Sequence, residues 1–119
     1  MTFQQHMQLE QRLVAILASM GQTERDVVET LAAHHALGQR NSPTGCVVAR
    51  FLTQTLGALV RVTRSQAEVL ESINNGEWVF SGSVHLPPAV LSVVREFDFG
   101  SYPELEEGVE VFAYTQEAG

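Results

Sequence analysis

The chain has 119 residues, of which 45% are hydrophobic, and a formal net charge of −7. This length fits a single domain spanning residues 1–119, and the composition excludes an intrinsically disordered chain. Its one cysteine cannot form an internal disulfide, and no apolar stretch is long enough for a membrane span or a signal peptide, so we expect a cytoplasmic protein without membrane contact.

The charge is unevenly distributed along the chain. All seven basic residues are arginine, and six of them lie in residues 1–64 beside four acidic residues. Residues 65–119 hold one arginine and ten acidic residues. The first half could therefore contact an anionic partner, whereas the second half would repel one. Acidic residues that only solvate the second half explain the same pattern, and we favour that interpretation.

The N-terminal part, residues 1–57, has the apolar spacing of helices. The second helix begins with a capping-box pattern at Thr23, and the third has Ser42 as a cap and Pro43 in its first turn. Glycines follow each helix and are typical helix ends. The predicted helices span residues 3–20, 23–37 and 43–56.

Residues 58–86 change from helical spacing to alternation, which is typical of strands. The Asn-Asn-Gly sequence at 74–76 favours a tight hairpin turn. Residues 66–73 suit either a strand or a short helix; we prefer a strand, because the hairpin needs a partner and so short a helix would be marginal. A three-stranded antiparallel meander is predicted, with one face of the last strand formed by Trp78, Phe80, Gly82, Val84 and Leu86.

A fourth helix is predicted over residues 87–100, followed by an acidic tail at 101–119 in which 109–114 could add an edge strand. Three helices, a meander and a helix give an α+β fold class. The same order of elements is compatible with a winged helix-turn-helix.

Cys46 is the first candidate for chemistry. On a helical wheel that includes it in the third helix, Cys46 lies outside the apolar arc and shares a face with Arg50 and Thr53. A helix N-terminus and a nearby guanidinium both lower a thiol pKa, which would suit a redox sensor or a nucleophile. No general base is fixed by the sequence, so an incidental cysteine is the preferred interpretation.

The first helix is a candidate interface. Its apolar arc covers about 180°, whereas a surface helix needs little more than 100°. His6 and Glu10 lie inside this arc, four residues apart, where they can face each other. A wet helix end explains this pair, and so does a homodimer interface formed by Phe3, His6, Met7, Glu10 and Val14.

A DNA-binding interpretation rests on the third helix. If residues 43–56 formed a recognition helix, Arg and Gln side chains on its outer face could contact base edges, and arginines near the first strand could contact phosphates. Against this, a net charge of −7 without lysine lacks the basic footprint of DNA-binding proteins. The candidate binding residues are Arg40, Cys46, Arg50, Thr53, Gln54, Arg61 and Arg64.

The sequence contains no glycine-rich phosphate loop, nucleophile elbow or dinucleotide fingerprint. The adjacent His34 and His35 do not match a zinc-ligand pattern, so neither a metal nor a cofactor is expected. The preferred hypothesis is a small, non-catalytic regulatory protein that acts through contacts with a partner protein, whose identity the sequence does not indicate. The alternative is a winged-helix DNA-binding regulator, and the third is a thiol-based sensor or enzyme using Cys46.

Overall fold

The computed structural model describes residues 3–72 and 78–108, with side chains for 8–70 and 82–108. These residues form an α+β fold, as predicted, and the strand preferred for residues 66–73 is confirmed as far as Ser72. The turn predicted at 74–76 and the edge strand at 109–114 lie outside the described residues. The elements are α1 (Phe3–Ser19), α2 (Glu24–Ala33), α3 (Val47–Leu56), β1 (Leu59–Val62), β2 (Gln66–Ser72), β3 (Trp78–His85), α4 (Pro88–Phe99) and a 3-10 turn (Pro103–Leu105).

The second helix begins where predicted but ends earlier. The side chain of Thr23 accepts a hydrogen bond from the backbone N–H of Asp26 at 3.1 Å, which confirms the cap. The predicted end near residue 37 is wrong, because α2 ends at Ala33 and His35 adopts a left-handed backbone with φ of 54°. Gly38 therefore does not end the helix. It packs against the start of α3 instead.

The third helix begins four residues later than predicted. Residues 42–45 form a turn in which the Ser42 hydroxyl accepts from the Gly45 N–H at 3.0 Å. The carbonyl of Pro43 accepts from the N–H of Val62 at 2.7 Å, which ties this turn to β1. Cys46 is the N-cap of α3, and its Sγ accepts from the Ala49 N–H at 3.3 Å.

The buried side chains that the structure describes form one hydrophobic cluster between the sheet and the helices. The inner face of the sheet presents Val60, Val62, Ala67 and Val69, with α1 packed on β3 and α3 packed on β1. The central helix is α3, which also contacts α2 and α4. Six of its ten residues are buried: Val47, Val48, Ala49, Phe51, Leu52 and Leu56.

The strands pair antiparallel in the order β1-β2-β3. Val69 pairs with Gly82, but the next residue, Leu70, pairs with Phe80, so Ser81 forms a bulge. The uninterrupted alternation predicted for residues 78–86 is therefore wrong in the backbone pairing, because the extra residue shifts the register with β2 at Ser81. On the inner face, Gly82 allows the Glu10 side chain of α1 to approach the β3 backbone.

Candidate functional site

A groove of about 550 Å³ opens between the 41–46 loop, the end of β1 with its following turn, and α4. Its buried lining consists of Cys46, Val62 and Val94. Two exposed arginines, Arg64 and Arg95, line the same groove (the Arg64–Arg95 groove). A groove with an apolar floor and two guanidinium groups in its lining is suited to a segment in which an apolar residue stands next to an acidic one.

Local backbone bonds hold the walls of this groove. Asn41 has a left-handed backbone with φ of 58°, and its N–H donates to Asp98 Oδ1 of α4 at 2.8 Å. Thr63 N–H donates to the Gln66 carbonyl at 2.8 Å and so closes the turn that presents Arg64. The carboxylate that lines the groove is therefore already engaged by a backbone donor.

The arginines of the chain divide into two groups. Five of the seven are engaged within the chain: Arg12 with the Leu56 carbonyl at 3.2 Å, Arg25 with Glu29 at 3.0 Å, Arg40 with Glu106 at 2.9 Å, Arg61 with Glu68 at 2.7 Å, and Arg50 with Glu107. The other two are Arg64 and Arg95. Neither forms an ion pair or a side-chain hydrogen bond with any residue that the structure describes. Both line the same groove.

Arg95 was not among the residues predicted from the sequence. It directly follows Val94 of the buried stripe of α4, and Asp98 lies one turn beyond it. This spacing marks an edge of the helix where apolar and charged side chains meet. It gives no indication that the edge faces the turn after β1, because that contact joins residues far apart in the chain.

Cys46 does not have the predicted environment. Its side chain is only 4% exposed, so the expectation that it points away from the core is wrong. Burial raises the pKa of the thiol and outweighs the lowering effect of the Ala49 N–H, while Arg50 has only a minor influence. These surroundings are those of a structural cap at the bottom of the groove, and they do not activate a nucleophile.

Arg40 and Arg50 lie beside the segment that follows the 3-10 turn. Glu106 and Glu107 pair with these arginines, and the Glu107 N–H donates to the Gly38 carbonyl at 2.8 Å. Part of the acidic second half therefore neutralises arginines of the first half. The interpretation of these acids as merely solvating is wrong at these two positions.

The remaining predicted binding residues are dispersed. Thr53 Oγ1 accepts from the Val60 N–H at 2.9 Å, Gln54 is exposed on α3, and Arg61 lies on β1 with Glu68 of β2. Only Cys46 and Arg64 of the predicted set meet in the Arg64–Arg95 groove. A recognition helix must enter a DNA groove with an exposed face, and α3 is mostly buried, so the DNA-binding interpretation gains no support.

The candidate interface on α1 is described only in part. The side chains of Phe3, His6 and Met7 lie outside the described set. Glu10 and Val14 line a second groove, of about 510 Å³, together with Ser83, Val84 and His85 of β3. Val14 is 50% exposed there.

Comparison with protein-family models, with curated proteins and with solved structures gives no match to this chain. Among the described residues, no helix is both long enough and apolar enough to cross a membrane. The same residues contain no group of three or more side chains placed to hold a metal ion.

Proposed function

We propose that this protein is a non-catalytic regulatory module of the cytoplasm that binds an acidic segment of a partner protein in the Arg64–Arg95 groove. The observation that carries the proposal is the division of the arginines. Five are neutralised or hydrogen-bonded within the chain, and the two without such partners in the described residues face one concave surface.

The lining of the groove indicates the chemistry of the partner. Cys46, Val62 and Val94 offer an apolar floor for one aliphatic side chain. Arg64 and Arg95 would pair with carboxylates on either side of it, and guanidinium–carboxylate pairs are specific because two parallel hydrogen bonds can form. Negative charges outside the groove oppose an acidic partner only weakly, because charges are screened beyond about 8 Å at physiological salt. Asp98 is the negative charge within the lining, and its carboxylate accepts from the Asn41 N–H.

Short peptides test the proposal directly. Backbone amide shifts of the ¹⁵N-labelled protein are followed during titration with acetyl-Glu-Leu-Glu-amide, and with matched peptides that carry Gln or Lys in place of both Glu residues. We expect the acidic peptide to shift the amides of Asn41, Thr63 and Asp98 and to bind more weakly as salt is added. The Gln and Lys peptides should bind less.

Single variants locate the binding. Arg64→Gln and Arg95→Gln should each weaken binding of the acidic peptide about two- to fivefold, the range of an exposed ion pair. Arg25→Gln is the matched control, since this arginine is 87% exposed and pairs with Glu29 away from the groove. Equal binding of the Gln peptide, or equal losses in all three variants, would contradict the proposal. Salt-sensitive binding of a short DNA duplex at the same amides would favour the winged-helix alternative instead.

A further inference from the structure

We infer that β3 is the homodimerisation edge of this protein, and that it pairs antiparallel with β3 of a second copy about a two-fold axis at Val84. The argument starts from the two edges of the sheet. Both β1 and β3 have β2 as their one strand partner in the described residues, so each presents backbone groups on its other side.

The β1 edge is closed within the chain. Its outward N–H groups belong to Val60 and Val62, and they donate to Thr53 Oγ1 at 2.9 Å and to the Pro43 carbonyl at 2.7 Å. A second strand cannot use these donors. This edge is also only four residues long.

The β3 edge is different. The Leu86 N–H donates to the Ser65 carbonyl at 2.8 Å, and antiparallel bonding alternates, so the backbone groups of Ser83 and His85 face away from β2. Both residues line the second groove and are therefore accessible. No described residue accepts from or donates to these outward groups.

The positions of these groups determine the register. An axis at Val84 places Ser83 opposite His85 of the second copy, and the two symmetric pairs then exchange four backbone hydrogen bonds. An axis at Ser83 would instead place His85 opposite the bulge at Ser81, where pairing is disrupted. The Val84-centred register is therefore the one that the geometry favours.

The side chains around this axis suit a second copy. In each copy, Val84 lines the second groove together with the exposed Val14 of the same chain. The dimer would bring these two apolar patches together at the axis and remove their surface from water. Residues 82–85 carry no Asp, Glu, Lys or Arg, so pairing of the two strands brings no like charges of these residues together in a chain of net charge −7. The Glu10 carboxylates, which lie over Gly82, would be separated by roughly 13 Å along the strands.

An isologous strand pair uses one surface twice, so a single edge is sufficient for a closed dimer. The second groove and the Arg64–Arg95 groove share no lining residue. The dimer therefore does not depend on the proposed peptide binding, and either can fail without the other.

Sedimentation equilibrium of the full chain is the test. With concentration raised to the millimolar range, the wild-type mass should rise from 13.1 kDa toward twice that value. Ser83→Pro should remain monomeric, because it removes an outward donor that no described residue uses, and proline is tolerated at strand edges. Val14→Glu should also remain monomeric. Leu37→Glu is the matched control for Val14→Glu, because Leu37 is 45% exposed and Val14 is 50% exposed. This control should dimerise like the wild type.

A cross-link checks the register and remains informative if one variant misfolds. Non-hydrogen-bonded antiparallel pairs have Cα atoms about 4.5 Å apart, within the range of a disulfide. Val84→Cys should therefore form a disulfide-linked dimer under mild oxidation faster than Gln54→Cys, which places a thiol on exposed α3 surface. A wild-type chain that stays monomeric at millimolar concentration would overturn the inference, as would a dimer unaffected by Ser83→Pro and Val14→Glu, or equal rates for the two cysteine variants.

Discussion

A single methyl group added at Gly38 should destabilise the fold strongly. A Cβ built on it would lie 2.5 Å from the carbonyl carbon of Cys46 and 2.6 Å from the Cα of Val47. These are backbone atoms at the start of α3, and they cannot rotate away as a side chain can. Gly38 also donates to the Leu105 carbonyl at 2.9 Å and accepts from the Glu107 N–H at 2.8 Å.

The expected loss for Gly38→Ala follows from these contacts. Overpacking a tight site costs about 1–3 kcal/mol. The two backbone hydrogen bonds, which must break if the segments move apart, contribute about 1 kcal/mol each. The free energy of unfolding should therefore fall by about 3–5 kcal/mol, a large part of the about 6–18 kcal/mol expected for a chain of this length. The melting temperature should fall by about 12–20 °C.

Urea denaturation followed by circular dichroism measures this change, with Gly57→Ala as the matched control. Gly57 ends α3 with φ of 80°, and nothing lies within 4 Å of a Cβ built there. Its substitution adds only left-handed backbone strain, about 1–2 kcal/mol. If Gly38→Ala lost no more stability than Gly57→Ala, the reasoning that the 38–47 contact is sterically closed would be refuted.

Three further predictions concern titratable and charged groups. The Cys46 thiol should react with Ellman's reagent roughly 100-fold or more slowly in the native protein than in urea, because reaction requires local opening; comparable rates would contradict its burial. Burial and the hydrogen bond to Glu24 raise the pKa of Tyr102 to about 12. In a variant whose other tyrosine is replaced by phenylalanine, the absorbance of the Tyr102 phenol should titrate at about pH 12, and Glu24→Gln should lower this pKa. The contribution of protonated Tyr102 to the free energy of unfolding is complete below pH 10 and is lost as the pH rises through about 12. A double-mutant cycle of unfolding free energies with Arg50→Gln and Glu107→Gln should give a coupling energy below about 1 kcal/mol that decreases as salt is added, because both side chains are partly exposed. A larger coupling energy that does not depend on salt would argue against a weak, solvent-screened ion pair.

Local signals predicted the elements that depend on local chemistry. The Thr23 cap, the proline-initiated α4 ending at Gly100 and the meander follow from caps, glycines and alternation. The wrong boundaries have long-range causes. Residues 42–45 do not join α3, because the Pro43 carbonyl accepts a hydrogen bond from β1. Gly38 does not end α2, because it packs against the start of α3 and bonds to the 3-10 turn and the segment that follows it.

The candidate site was predicted less well than the fold. The error at Cys46 has a specific origin, because a helical wheel assumes helical backbone angles. As an N-cap, Cys46 has an extended backbone with φ of −68° and ψ of 161°, so its side-chain direction does not follow the wheel. The Arg64–Arg95 groove joins residues 31 positions apart across three elements. A single sequence contains no periodic signal for such a meeting.

The closed edge of β1 also limits how far copies of this chain can assemble. A sheet with two open edges can add a further copy at each end, and repeated addition produces a fibre. Here Thr53 and Pro43 occupy the donors on one side, so in the part of the chain that the structure describes, a copy joined through β3 has no further open strand edge. Growth through this sheet would then terminate at two chains. The two hydrogen bonds on the outer edge of β1 would therefore also decide between a finite complex and an aggregating one.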